Sequence, residues 1–423
     1  VTSSETHLII GAGFSGLGMA AAMQRHGRPF EVVEADDDLG GNWYHGVYDS
    51  VHIISSRQTT GYAEWPMPAD WPDFPSAAQM LSYLRAYADH WGLRPHIRFG
   101  VSALAVTPTA DEHWRVRFSD GSERVYRGVI VANGHHWDKR LPQYPGHFTG
   151  EMIHSKDYKT GAQMHGKRVL VIGGGNSACD IAVEAARHGL ESHISMRRGC
   201  WFLPKTIAGV PLVEVVQPWM PMWLQRLMIR AAVRLIVGRY EQYGLPRPDH
   251  RPFDRHPTVN SELLYALKHG RITPHPDIAR YEGQRVVFQD GRHIDVDLIV
   301  AATGFHVSFP FLPEGLIQWQ HGMPNLIGGM VLPDHKNLYL FGLGQPRYGA
   351  GPLISAAAEM VCRMIEAQGS LQHPVGAILQ RLGNKPLRSW LIDPHAALRR
   401  ARFGSRLMPL LPRLEPLLMG GVG

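Results

Sequence analysis

Short, unbroken apolar runs set the plan of this chain. Residues 129–132, 169–172 and 298–302 hold four or five such positions without a break, and 7–10 and 30–33 hold three of four. That is the pattern of strands covered on both faces, as in a parallel sheet. Between the first two runs, residues 17–26 read as a helix with small residues on one side, and 179–188 follow the 169–172 run in the same way. Residues 79–91 predict an amphipathic helix, with Leu81, Leu84, Tyr87 and Ala88 on one face. Residues 97–106 and 114–118 read as strands, and Asp120-Gly121 is a hairpin signal. Strand–helix–strand alternation places the chain in the α/β class.

The turns between runs and helices carry the chemistry. The first run feeds Gly11-Ala-Gly13-Phe14-Ser15-Gly16, and the second ends at Glu34. Strand, G-x-G-x-x-G, helix, strand and acid, in that order, make a dinucleotide-binding unit. Gly11 makes the tight turn, Gly13 lets backbone approach a pyrophosphate, and Gly16 permits close helix–strand packing. Glu34 then accepts hydrogen bonds from a ribose. Downstream, Gly40-Gly41-Asn42-Trp43 is similar to the GG-x-W segment of FAD-binding monooxygenases, which favours FAD here.

A second loop, Gly173-Gly-Gly175-Asn176-Ser177-Ala178, repeats the plan, with alanine tolerated at the third position because only close packing is asked of it. The strand after it ends in Arg197-Arg198 rather than an acid. Guanidinium groups favour a ribose 2′-phosphate through charge-assisted bonds, so this loop predicts NADPH, with Lys205 adding charge nearby. The two halves echo further on. Val129-Ile-Val-Ala-Asn-Gly134 and Leu298-Ile-Val-Ala-Ala-Thr303-Gly304-Phe305 each follow a hairpin signal and end in a glycine turn. The expected architecture is two Rossmann-like domains, the NADPH domain inserted into the FAD domain. The expected boundaries give an FAD domain over 1–160 and 296–423, and an NADPH domain over 161–295 with a helical insertion at about 205–270.

Composition narrows the class. At 423 residues, 44% hydrophobic and 19% charged, the chain fits a globular enzyme of two or three domains. Its net charge of +6 is dispersed, which argues against nucleic acid. Three cysteines without a C-x-x-C pair exclude dithiol chemistry and suit a cytoplasmic setting. None of the 24 histidines has metal-ligand spacing with other donors, so no metal is expected. No signal peptide and no membrane span are expected.

Three stretches stand apart. Residues 48–75 are a long connection rich in aromatics and prolines, expected to wall an apolar pocket. In 211–240, Arg226, Arg230 and Arg234 form a basic stripe on an apolar helix. It reads as an ordinary packed helix, as a lid or subunit contact, or as a membrane-surface helix. The apolar tail after Gly404, broken by Pro409, Pro412 and Pro416, is expected to dock on the protein or a partner. The strand at 337–342 runs into a third glycine-rich turn containing Gln345, and Pro352 opens a helix whose N-terminus would face the flavin.

Between the two nucleotide loops lies Phe148-x-Gly150-x-x-x-His154-x-x-x-Tyr158. With the two loops and Ala302-Thr303-Gly304-Phe305, this pattern resembles the flavin-containing monooxygenases, and the resemblance covers the chain to about residue 361. Baeyer–Villiger monooxygenases carry a similar linker but with Trp-Pro where this chain has Tyr158-Lys159. The resemblance implies FAD, NADPH, O2 and a small-molecule substrate. It implies oxygenation of an amine nitrogen or sulfide sulfur by a C4a-hydroperoxyflavin, with Baeyer–Villiger oxygenation or uncoupled NADPH oxidation as the alternatives. It implies a linker crossing between the domains, with Gly150 giving backbone freedom and His154 and Tyr158 fixing geometry. Relatives carry an active-site asparagine where this chain has Ile54 or Ser55. Its polar contact is either taken over by Ser55, Ser56 or Gln58 or lost, and Ser55, Gln58 and His154 are the candidate catalytic residues.

Overall fold

The computed structural model describes residues 5–217 and 219–420. Its central strands, in chain order, are His7–Ile10 (β1), Phe30–Val33 (β2), Ile97–Arg98 (β3), Gly128–Val131 (β4), Glu151–His154 (β5), Arg168–Ile172 (β6), Glu191–Ser195 (β7), Thr273–His275 (β8), Leu298–Ala301 (β9) and Leu338–Leu340 (β10). The helices that matter below are Phe14–Arg25 (α1), Ala77–His90 (α2), Asn176–His188 (α3), Met222–Ile236 (α4), Gly351–Gln368 (α5), Pro394–Leu407 (α6) and Leu411–Met419 (α7).

Two five-stranded parallel sheets result, ordered β10-β4-β1-β2-β3 and β5-β9-β6-β7-β8. The chain divides accordingly: residues 1–45, 57–135 and 307–423 form one unit, and 46–56 with 136–306 the other. The second is inserted in the first, and the repeat expected from sequence is the correspondence of β4, β1 and β2 with β9, β6 and β7.

These boundaries differ from the expected 160 and 295. Strand β5 pairs in parallel with β9, residue 151 opposite 298, so the stretch from 136 belongs to the second sheet. Strand β9 lies between β5 and β6, which carries the second unit on to residue 306. The Phe148–Tyr158 pattern is therefore an edge of the second unit rather than a linker. Residues 46–56 join it too: Asp49 N–H donates to the Lys159 carbonyl at 3.0 Å.

The apolar runs are explained by burial on both faces. In β6, Val169 and Val171 enter a core shared with α3, while Leu170 and Ile172 enter a second core shared with the antiparallel strands Ile278–Gly283 and Arg285–Phe288. Successive side chains of a strand point to opposite faces, so a strand covered twice has no polar position to spare. In the first unit Leu8, Ile10, Val129 and Val131 pack with Trp114, Val116 and Phe118 of the hairpin that Asp120-Gly121 closes.

Local signals place the helices. Ser76 caps α2 in a capping box with Gln79. The Asn260 side chain accepts from Leu263 N–H at 2.9 Å and starts the helix Glu262–Lys268. The C-terminal prolines do not break the tail: Pro409 and Pro412 sit in first helical turns, where a missing N–H costs nothing. The tail docks on its own unit. Glu415, inside α7, accepts from the N–H groups of His373 at 2.7 Å and Gln372 at 3.2 Å.

The 48–75 connection departs from expectation. Tyr62 is buried, stacks on Phe14 and Tyr87 at 4.5 and 4.0 Å, and its hydroxyl donates to the Phe14 carbonyl. It is core of the first unit, not pocket wall.

Candidate functional site

In the first unit the glycine loop behaves as its spacing requires. Gly11 has φ +105, and a Cβ there would stand 2.7 Å from the Ala132 carbonyl oxygen at the end of β4. A Cβ on Gly16 would collide with the Gly11 carbonyl. Gly13 is different, since its nearest neighbour would be the Gly41 backbone at 3.6 Å. The Gly41 segment thus comes to the start of α1, where no side chain caps the helix. Asn42 and Trp43 follow on a short helical turn over Asn42–Gly46 and are half-buried.

Glu34, buried, accepts from Ala12 N–H at 2.6 Å and Asp36 N–H at 3.1 Å. Burial raises its pKa and these two N–H groups oppose the rise. A carboxylate has about four acceptor positions, so two remain for a ribose diol. Ser15 is held against the third glycine turn, because a Cβ on Gly342 would collide with its hydroxyl. Gln345 lies just beyond, its N–H donating to Trp390 O at 2.6 Å. The first turn of α5 approaches backbone closely on one side: a Cβ on Gly351 would collide with the Thr60 and Gly61 carbonyls.

The second unit repeats the construction. Gly173 has φ +140, and a Cβ there would collide with the Ala302 carbonyl, the counterpart of the Gly11–Ala132 contact. A Cβ on Gly175 would meet nothing within 4 Å. Gly175 precedes α3, which again has no side-chain cap. The approach to this helix start is open, and a pyrophosphate would fill it. Arg197 and Arg198, just past β7, are exposed and have no ion-pair partner among the described residues. Both loops therefore fit a dinucleotide, and the second fits one carrying an extra phosphate.

Other expected ligands are turned elsewhere. The Asn176 side chain accepts from Val259 N–H at 2.8 Å, so it braces the loop. Lys205 Nζ lies 2.6 Å from His52 Nε2, so one of its three donors is engaged within the unit. These residues adjoin a cluster that sequence reading missed. Asp180, half-buried in α3, accepts from the Tyr48 hydroxyl at 2.8 Å and the Asn260 amide at 2.7 Å. Ser177 touches the same Tyr48 hydroxyl. Burial raises the Asp180 pKa, while Tyr48, His52 and Lys205 pull it down. The cluster ties residues 46–56 to α3.

The two motifs of the second unit prove to be one structure. His154 is buried, its Nδ1 accepts from Lys156 N–H at 3.1 Å, and its Nε2 donates to the Gly304 carbonyl at 2.9 Å. Phe305 stands edge-on to the ring at 4.9 Å. With both ring nitrogens engaged, His154 holds the Ala302–Phe305 turn in place, and burial lowers its pKa. Tyr158, fully buried, donates to Glu184 at 2.6 Å. Gly150 is needed for space rather than for backbone freedom: a Cβ there would lie 2.5 Å from Phe148 and 2.8 Å from the Asp297 carbonyl.

Of the other catalytic candidates, Ser55 is half-buried in the second unit, and Gln58 is exposed on the turn Arg57–Thr60 of the first. Ile54 packs against the second unit's core.

The model of the flavin-binding monooxygenase-like family matches residues 5–374. The chain belongs to this family. A probable indole-3-pyruvate monooxygenase of Arabidopsis thaliana, YUCCA9, is 31% identical over 75% of this chain and 79% of its own length. A dimethylaniline monooxygenase (N-oxide-forming) of Oryctolagus cuniculus is 30% identical over 86% and 74%. Among solved structures, OTEMO in complex with FAD and NADP superposes with TM-score 0.74 at 19% identity, covering 96% of this chain and 98% of that one. The chain is accordingly an FAD-containing, NADPH- and O2-dependent monooxygenase.

Proposed function

We propose that the enzyme oxygenates a soft nucleophile, an amine nitrogen or a sulfide sulfur. The first unit holds FAD through Gly11, Gly13, Phe14, Ser15, Gly16, Glu34, Gly41, Asn42, Trp43 and Gln345. The second holds NADPH through Gly173, Gly175, Arg197 and Arg198, with Asn176 and Ser177 offering their backbone N–H groups at the start of α3 while their side chains are engaged within the unit. When bound, FAD supplies the hydride acceptor and the activation of O2. The work of the protein is to bind and orient. The starts of α1 and α3 take pyrophosphate charge, Glu34 takes a ribose, and Arg197 with Arg198 takes the 2′-phosphate. His154 holds the 302–305 turn beside the Gly173 loop.

The observation that carries the heteroatom reading is Tyr158-Lys159, with Tyr158 locked onto Glu184 where Baeyer–Villiger enzymes have Trp-Pro. The dimethylaniline relatives, named as N-oxide-forming, support it. A second reading, attack on a keto group, is favoured by the relatives named for indole-3-pyruvate. Free Cys179, Cys200 and Cys362 suit a reducing cytoplasm.

The test is aerobic turnover with NADPH and, separately, a dialkyl sulfide, a tertiary amine, a cyclic ketone and a 2-oxo acid. Sulfoxide or N-oxide formed in step with NADPH consumed is the expected result. Ester, lactone or decarboxylated product would move the assignment to the second reading. Peroxide alone, with every substrate, would sink both.

A further inference from the structure

Helix α4 has two apolar faces, and only one is used. Gln225, Ile229 and Val233 are buried, and both apolar residues join the second unit's core. On the other side, at four-residue steps, stand Trp223, Leu227, Ala231 and Leu235, with Trp219 just ahead of the helix. Trp219 is 71% exposed, Trp223 67%, Leu227 58% and Leu235 85%. A row of large apolar side chains left in water is unusual for a free surface and marks a binding face.

The charges beside this row have one sign. Arg230, Arg234 and Arg239 are exposed along it, and α4 contains no acid. The carboxylates of the adjoining hollow are already engaged, Asp254 with Arg226 at 2.5 Å and Asp249 with His250 at 3.0 Å and Arg255 at 3.5 Å, and Glu241 beyond Arg239 pairs with Arg247 at 3.7 Å. Arg230 also borders an open hollow with His250 and Arg251.

The geometry points to α4 as a docking helix that lies on an anionic lipid surface, with Trp219, Trp223, Leu227 and Leu235 entering the headgroup boundary. Tryptophan suits that depth, and arginine can keep its head among phosphates while its stem stays apolar. A second copy of the chain fits poorly, because a two-fold contact would set arginine against arginine with no acid to answer it. Spanning is excluded by length: 15 residues reach about 22 Å, short of a hydrocarbon core of about 30 Å. Nor is any helix among the described residues long and apolar enough to cross a membrane. The inference is independent of which substrate the enzyme oxygenates.

The test is flotation of the FAD-loaded full chain with vesicles of phosphatidylcholine alone or with a third phosphatidylglycerol. Binding to the anionic vesicles, weakened by salt, is expected. Arg230→Gln with Arg234→Gln should weaken it about 25-fold, at about fivefold per arginine. Trp223→Ser with Leu227→Ser should abolish it. Both pairs are exposed, so NADPH turnover in solution should be unchanged and reports that the variants fold. Equal binding to neutral vesicles, no binding to either, or a dimer in sedimentation that the Trp223/Leu227 variant dissociates would each overturn the proposal.

Discussion

At the scale of single residues, glycines that look alike in sequence have different work. Gly16 is required by the fold, since any Cβ meets the Gly11 carbonyl, whereas Gly175 has open space ahead of it. Gly16→Ala should therefore lower stability by about 3 kcal/mol, the upper range for overpacking, and shed FAD. Gly175→Ala should melt within about 2 °C of the parent while its NADPH KM rises about tenfold. Calorimetry and steady-state kinetics on the two variants separate the roles; a Gly175→Ala protein with unaltered KM would remove that glycine from the cofactor site. The glycine positions were legible in sequence because a tight turn is a local demand. The role of His154 was not, because the oxygen it serves belongs to Gly304, 150 residues away.

At the scale of elements, the corner where β5, β9 and β6 meet is tied by Asp297. Its carboxylate accepts from Arg168 N–H at 2.9 Å, from Arg168 Nε at 3.0 Å and from Nη2 at 2.8 Å, while its carbonyl accepts from Glu151 N–H at 3.0 Å. The Arg168 side chain and N–H hold the Asp297 pKa at about 2, below the usual 3.8. The unfolded chain binds this proton more readily than the native one. The stabilisation is thus complete above pH about 4 and is lost as pH falls toward 2. Asp297→Asn should lower the denaturation midpoint by a constant amount near neutral pH, and the gap to the parent should close below pH 4. A gap that stays constant down to pH 2 would show that the carboxylate's charge is not what ties the corner. Helix α4 teaches the complementary lesson. Its sequence left three readings open because an apolar, basic helix looks the same whichever of its faces is buried.

At the scale of the whole molecule, cofactor binding and folding are linked. A ligand that binds only the native state at 100 times its Kd adds about 2.7 kcal/mol of stability. NADP+ should therefore raise the melting temperature of the FAD-loaded enzyme, and NAD+ at the same concentration should raise it far less. Arg197→Ala with Arg198→Ala should erase the difference, with an NADPH KM about 100-fold higher if each arginine makes one charged hydrogen bond. An NADP+ shift that survives both substitutions would refute the phosphate assignment.

The α/β class, the doubled nucleotide plan and the cofactor pair could be read from the sequence alone. Each rests on short-range rules: unbroken apolar runs for strands covered twice, glycines where backbone must turn or approach, and the charge at the end of a second strand. Tertiary structure alone decided where the units divide, that β5 is an edge strand of the second sheet, that Lys205 answers His52, and that one face of α4 stays in water. The first three depend on partners a hundred or more residues apart, the last on competition for the core, and no local pattern encodes either.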